Sequence, residues 1–155
     1  MTQNFVSSSI SRVELVNELS SNKHLIINPR RKNGIIIYKP YHSEFAGPGS
    51  AIGGIFDLNV VDVLFVGKLS LIEVNNSEEL QRSYLIRRQW TRLLIKILEN
   101  PDGIQRAQVI LNQFEHWFDS ETASNVSNYA FATLIGVLPQ TIAKVRNTRD
   151  RPDIF

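Results

Sequence analysis

A short run near the C-terminus carries side chains of the types that hydrogen-bond to bases and phosphates. The candidates are Gln140, Thr141, Lys144, Arg146, Asn147 and Arg149. A glutamine amide can make two hydrogen bonds to adenine, and a lysine can bond guanine or a phosphate, so Gln140 and Lys144 are the predicted base-reading residues. Thr141, Arg146 and Arg149 are predicted to bind the phosphate backbone and set the register. These residues predict contact with double-stranded DNA.

A second group of side chains, Tyr38, Tyr41, His42 and Glu44, suggests catalysis or metal binding. On an extended segment His42 and Glu44 would lie on one face, as metal ligands need. The sequence supplies no obvious third ligand near them. Without cysteine, the chain also has no thiolate zinc site, iron–sulfur cluster or thiol switch. We therefore expect no metal, no cofactor and no enzymatic activity.

The DNA-contacting residues require a helix pair to position them, and the run Tyr129–Asn147 predicts one. A first helix from Asn128 to Ile135 ends at Gly136, because glycine adopts the left-handed conformation without strain. Pro139 suits the first position of the second helix. The small Ala132 allows the two helices to approach closely. Ile142 and Val145 face the core, which leaves the polar side chains outward. This pattern is typical of a helix-turn-helix.

Two longer helices are predicted upstream of the pair. Leu80–Leu98 has apolar residues at spacings of three and four and neither proline nor glycine, so it reads as a spine or a dimerisation helix. Its basic residues predict a solvated face, or alternatively a surface for an acidic partner. They are Arg82, Arg87, Arg88, Arg92 and Lys96. The apolar stripe of Ile104–Phe118 predicts the floor on which the helix pair packs, and Asp119–Val126 is a polar connector.

The N-terminal half predicts a short helix followed by a small sheet. Ser11–Ser20 is the helix, and four runs rich in β-branched residues are the strands: His24–Asn28, Gly34–Lys39, Val60–Val66 and Leu69–Val74. Asn33-Gly34 predicts a hairpin between the first two strands, and Gly67-Lys68 a weaker one between the last two. The glycine-rich run Ala46–Ile55 lacks the residues of a phosphate-binding loop, so we expect a loop and tight turn.

These elements predict an α+β protein with an antiparallel β unit, a long connecting helix and a C-terminal helix-turn-helix unit. The expected divisions are 1–76, 77–100 and 101–155. No apolar run is long enough to span a membrane, and the N-terminus has no secretion signal, so a cytoplasmic location is expected. The net charge is only +2, so any electrostatic attraction to DNA must be local.

The order of elements resembles the CRP/FNR family of bacterial transcription regulators, and the stretch from Phe131 to Arg146 looks like the helix-turn-helix signature of that family. The resemblance covers Ser77–Arg149 well and the β unit weakly, although Pro48-Gly49 and Gly53 are similar to the Pro-Gly turn of the family's β-roll. It implies a DNA-binding regulator that forms a homodimer through the helix at residues 80–98.

The chain departs from that family in three places. The Gly-Glu and Arg-Ser or Arg-Thr pair of the cyclic-nucleotide cassette is absent between Gly54 and Val60, so we expect no cyclic-nucleotide binding by this shortened sensor unit. Pro139 replaces the polar residue usual at the start of the recognition helix, which reduces base contacts. Arg149–Phe155 offers little for a wing. These departures keep an alternative open, a protein–protein interaction module derived from such a regulator.

Overall fold

The computed structural model describes residues 5–7 and 10–149. The chain divides into two compact units, Met1–Leu93 and Leu94–Phe155. The boundary between them falls inside the long helix, which the sequence-based division treated as a segment of its own. The predicted lack of a wing concerns residues 150–155, which lie outside the described part of the chain.

The first unit combines short strands with two helices. In chain order its described elements are β1 (Phe5–Ser7), α1 (Arg12–Ser20), β2 (His24–Ile27), β3 (Gly34–Tyr38), β4 (Ser43–Ala46), β5 (Ala51–Gly53), a 3₁₀ helix (Gly54–Asp57), β6 (Asp62–Val66), β7 (Leu71–Glu73) and α2 (Ser77–Leu98), which continues into the second unit. The strands pair in two antiparallel sheets, in the orders β1-β7-β2-β5 and β4-β3-β6.

Aliphatic side chains from both sheets and α1 form the core of the first unit. Fully buried members include Leu15, Leu19, Leu25, Ile27, Ile35, Ile37, Ile52 and Leu71. Ser11 caps α1 by accepting a hydrogen bond from the Glu14 amide at 3.1 Å, as the sequence predicted. Strands β2, β3, β6 and β7 confirm the four predicted runs, because β-branched residues suit a buried pleated surface.

The hairpins predicted at Asn33-Gly34 and Gly67-Lys68 are wrong. Strand β2 pairs with β5 and β7, whereas β3 pairs with β4 and β6, so both turns carry the chain from one sheet to the other. Asn33 is buried, and its side chain accepts from the Ser70 amide at 2.9 Å and donates to the Asn28 carbonyl at 3.2 Å. Asn33 therefore links the two segments that run between the sheets, and it does not form a two-residue hairpin loop.

The glycine-rich run was predicted as a loop and tight turn, and it also contains β5 and the 3₁₀ helix. Gly53 has a φ of 89°, and a Cβ at this position would lie 1.7 Å from the Lys23 carbonyl oxygen. Only glycine fits there. The close approach lets the chain turn into the 3₁₀ helix, whose last residue, Asp57, points into the interior and is fully buried.

All secondary-structure elements described in the second unit are helices. After the end of α2 it contains α3 (Gly103–Trp117), α4 (Ser120–Ser124), α5 (Asn128–Ile135) and α6 (Pro139–Arg149). The Phe114 and Phe131 rings meet edge to face at the centre, with ring centroids 4.9 Å apart. The polar connector predicted at Asp119–Val126 contains the short helix α4, which Asp119 caps by accepting from the Thr122 amide at 2.6 Å.

The antiparallel sheets, long helix and C-terminal helices confirm the predicted α+β class. Within the described ranges, no helix has the length and apolar character needed to cross a bilayer.

Candidate nucleic-acid interface

The helix α6 presents one face to the core and the other to solvent. Ile142 and Val145, three residues apart, are almost completely buried against α3 and α5, as predicted. Pro139 occupies the first helical position, where the amide it lacks would have no partner within the helix. The Thr141 amide donates to the Leu138 carbonyl at 3.0 Å and so closes the first turn.

The solvent face of α6 carries Gln140, Lys144 and Asn147, all exposed. Their spacings of four and three residues place them in one row along the helix, where with Thr148 they line a shallow groove. Within residues 10–149, no hydrogen bond or ion pair engages any of these three side chains. Thr141 is half-buried at the edge of the row. The arrangement leaves one cation and two amides available to an external partner.

The turn before α6 has the geometry predicted for it. Gly136 adopts a left-handed φ of 65°, and its amide donates to the Ala132 carbonyl, which also accepts from the Val137 amide at 3.2 Å. Ala132 is buried, as expected of a small residue between two helices. Ser127 caps α5 by accepting from the Ala130 amide at 3.0 Å. These bonds fix where α6 begins.

Arg106 of α3 holds this turn from outside. Its Nε donates to the Ile135 carbonyl at 3.0 Å, and its Nη2 donates to the Gly136 carbonyl at 3.3 Å. Its Nη1 donates to the Asn100 carbonyl at 2.7 Å. Ile135 is the last residue of α5, and Asn100 lies two residues after the end of α2. Carbonyls at helix ends lack partners within the helix, so the guanidinium satisfies acceptors that would otherwise need water. No local sequence signal indicated this role for Arg106.

Arg146, which the sequence predicts to bind the DNA backbone, makes several contacts within the second unit. Its Nη1 donates to Asn128 Oδ1 at 2.6 Å, and its Nη2 donates to the carbonyls of Ala123 and Val126 at 3.0 and 2.7 Å. The guanidinium also lies over the Phe131 ring, 5.1 Å from its centroid. Arg146 therefore ties α6 to the α4–α5 connection. Its position four residues after Ile142 could have indicated this inward role.

Arg149 is partly engaged as well. Its Nη2 forms an ion pair with Oε1 of Glu115 on α3, and about a third of each side chain is exposed. An exposed pair of this kind is weak, so a phosphate can compete for the guanidinium. Of the six predicted residues, the structure brings Gln140, Lys144 and Asn147 together and leaves Thr141 and Arg149 at the flanks.

The second candidate cluster, in the first unit, is an ion-pair network rather than a ligand set. His42 Nε2 lies 3.0 Å from Glu44 Oε2, as the extended spacing predicted. Glu44 Oε1 accepts from Arg87 Nη2 at 3.0 Å. Among the described residues, no group of three or more histidine, cysteine, aspartate or glutamate side chains is placed to hold a metal ion.

Arg87 is the centre of this network, although its place among the basic residues of α2 predicted a solvated side chain. The guanidinium is 5% exposed and donates twice to the fully buried Asp57 carboxylate, at 2.5 and 2.8 Å. The Lys39 ammonium lies 3.2 Å from Asp57 Oδ1. The solvated-face prediction is wrong at this position, because Arg87 lies four residues after the buried Ser83 and seven before the buried Leu94.

The network controls the ionisation of its carboxylates. Burial alone would raise the pKa of Asp57, but the hydrogen bonds and positive charge of Arg87, with the Gly53 amide, hold that pKa below its ordinary value. Burial likewise opposes ionisation of Glu44, and the charge of Arg87 with the His42 hydrogen bond lowers its pKa. Both groups are anions at neutral pH and are already satisfied by cations, so the network is suited to fastening chain segments together.

No family model matches the chain, and no curated protein or solved structure matches it at a significant level.

Proposed function

We propose that the second unit binds double-stranded DNA, with α6 in the major groove. One observation carries the proposal: Gln140, Lys144 and Asn147 form an exposed row with no intramolecular partner within the described residues, on a helix whose opposite face is fixed by Ile142 and Val145. Two amides and a cation are the groups that read base edges.

The assignment of roles follows from which side chains are available. Gln140 and Asn147 offer amides for adenine, and Lys144 offers a cation for guanine or phosphate. Thr141 and Arg149 contact the backbone and set the register. Arg146 is a positioning residue, because its guanidinium holds α6 against the α4–α5 connection. With Pro139 contributing no contact, base reading depends on three side chains.

The wider proposal is a transcription regulator of the CRP/FNR type, working in the cytoplasm without cyclic nucleotide. Its support is the resemblance across Ser77–Arg149 together with the glycine turn and the exposed row of α6. Regulation of this kind requires no catalysis by the protein.

A homodimer through the helix at residues 80–98 is the second part of the proposal. Exposed Leu85 and Leu93 lie eight residues apart with Gln89 between them, which gives an uncharged strip along α2. Exposed Arg82 and Arg92 flank that strip and would face like charges in a two-fold pair. We therefore expect a weak dimer that strengthens with salt, the opposite of DNA binding, and sedimentation at low and high salt checks this.

Selection of bound duplexes from a random pool tests the DNA proposal. We expect a palindrome with half-sites about 34 Å apart to be enriched by a dimer. On that duplex, Lys144→Ala and Gln140→Ala should each weaken binding about tenfold, the scale of one base contact. Lys68→Ala and Gln108→Ala remove the same groups at exposed positions outside α6 and outside the proposed dimer helix, and serve as matched controls.

Two results would reject the proposal. One is a pool from which no sequence is enriched. The other is equal loss of binding in the α6 variants and in their controls. Binding of DNA must also weaken steeply as salt rises, because bound phosphates release counterions. Salt-insensitive association with a protein in place of DNA would instead support the interaction module.

A further inference from the structure

An exposed apolar cluster follows β5 in the first unit. Ile55, Phe56, Leu58 and Val61 are 72%, 62%, 46% and 60% exposed. They lie within seven consecutive residues, so their side chains form a local patch instead of isolated surface positions. A concentration of exposed apolar side chains of this size is typical of an interaction site.

The segment that carries these side chains is held firmly. Asp57, between the exposed Phe56 and Leu58, is completely buried and pairs with Arg87 and Lys39. The Lys39 ammonium also donates to the Phe56 carbonyl, and the Val61 amide donates to the Tyr38 carbonyl at 2.8 Å. Burying charges is costly even when they are paired. A buried ion-pair network, which is costly to desolvate, therefore holds a segment whose large apolar side chains remain exposed to solvent.

A cleft opens beside this segment, still within the first unit. Its volume is about 400 Å³, and it is lined by Glu44, Phe56, Tyr84, Arg87, Arg88 and Thr91. The Phe56 and Tyr84 rings are in contact, with centroids 5.4 Å apart. The cleft is large enough to accept a bulky apolar side chain, and the exposed Arg88 is one of the residues that line it.

The charge around the cleft is positive. Arg88 and Arg92 are exposed and lie one helical turn apart, and no acidic residue occurs between Leu80 and Leu98. Glu44, the acid that lines the cleft, is already engaged by Arg87 and His42. Its negative charge is thus compensated, whereas the nearest carboxylate on the helix of the two arginines is Glu79, nine residues before Arg88.

We propose that this surface docks an acidic, amphipathic segment of a partner protein. The docking patch consists of Ile55, Phe56, Leu58 and Val61 with the cleft residues Tyr84, Arg88 and Thr91. An apolar side chain of the partner enters the cleft, and its carboxylates pair with Arg88 and Arg92. A second copy of this chain fits less well, because a two-fold contact would set the arginines of one patch against those of the other. All residues of the patch belong to the first unit, so the proposal is independent of DNA binding.

Panning a displayed library of random 12-residue peptides against the full chain tests this assignment. We expect the enriched peptides to combine aspartate or glutamate with an aromatic or leucine. In anisotropy titrations of the best peptide, Phe56→Ser and Arg88→Glu should each weaken binding about tenfold or more, as at other interface anchors. Both positions are exposed, so neither change disturbs the core.

Matched controls and contrary outcomes keep the test strict. Val109→Ser and Arg31→Glu make the same changes at exposed positions outside the patch, and should alter the affinity less than about twofold. The proposal is overturned if no peptide is enriched, if enriched peptides are basic, or if Phe56→Ser binds them unchanged. Self-association lost in Phe56→Ser would assign the patch to a second copy, and lost binding to phosphatidylserine vesicles would assign it to a membrane.

Discussion

The two units use inward-facing arginines for different purposes. In the first unit Arg87 meets the carboxylates of Asp57 and Glu44, so its positive charge is cancelled inside the fold. In the second unit Arg106 and Arg146 donate to uncharged acceptors, mostly backbone carbonyls. An inward-facing arginine thus links carboxylates in the first unit, whereas in the second unit it satisfies carbonyls at helix ends and connections.

The largest expected effect is that of Arg87→Met on the stability of the first unit. The change leaves the buried Asp57 carboxylate with Lys39 as its remaining cation, and breaking a buried ion pair from one side costs about 3–5 kcal/mol. Each unit has one tryptophan, Trp90 or Trp117. Urea unfolding in a Trp117→Phe background follows the first unit, and the same titration in a Trp90→Phe background follows the second.

The neighbouring exposed arginine supplies the control for this experiment. Arg88→Met removes the same charge and should leave the urea midpoint of the first unit nearly unchanged. The comparison between the units fails if Arg87→Met and Arg88→Met are equally stable, or if Arg87→Met lowers the midpoint of the second unit by the same amount.

A smaller effect is expected for Arg146→Met in the second unit. The variant leaves the Ala123 and Val126 carbonyls and the Asn128 side chain without their donor, at a cost of about 1–3 kcal/mol. Lys144→Met, two residues earlier, should keep the full stability because its side chain has no partner within the described residues. Urea unfolding followed by Trp117 fluorescence measures both. Equal destabilisation would mean that Lys144 is not free for a ligand.

The smallest effect is a gradual loss of stability in acid, confined to the first unit. The folded pKa values of Glu44 and Asp57 lie below their ordinary values of 4.5 and 3.8. Their contribution is therefore complete above about pH 5 and is lost as the pH falls toward the folded pKa values. In the second unit Arg106 donates to backbone carbonyls, which do not titrate in this range. Between neutral pH and about pH 3, the urea midpoint of the first unit should fall more than that of the second. In the Asp57→Asn variant, the midpoint of the first unit should fall less steeply than in the unsubstituted protein.

Three helices of the second unit, α3, α5 and α6, could be predicted to within about two residues because the signals that define them are local, whereas the short α4 was predicted as a connector. Gly136 and Pro139 mark one end of α5 and the start of α6, and the spacing of Ile142 and Val145 gives the inward face. The same spacing rule places Arg146 on the core side. Its acceptors near Ala123 come from a segment 20 or more residues earlier, and periodicity does not identify them.

The first unit was harder to predict because its key contacts join distant parts of the chain. Asn33-Gly34 has the composition of a hairpin loop, but the side chain of Asn33 is satisfied by Ser70, 37 residues later. Arg87 and Asp57 are likewise 30 residues apart. Strand propensity locates the β-branched runs, whereas the choice of sheet partner depends on these long-range polar contacts, which leave no periodic signal.

The pairing of β1 with β7 sets a condition on how the first unit folds. Phe5 of β1 lies opposite Ile72 of β7, so β1 forms its backbone hydrogen bonds with the last strand of the unit. Closing so long a loop is entropically unfavourable until the strands between are in place, and contacts between distant residues slow folding. During synthesis from the N-terminus, β1 cannot pair with β7 until nearly the whole unit has left the ribosome. The helical unit, built from contacts closer in sequence, should fold soon after its last helix is made.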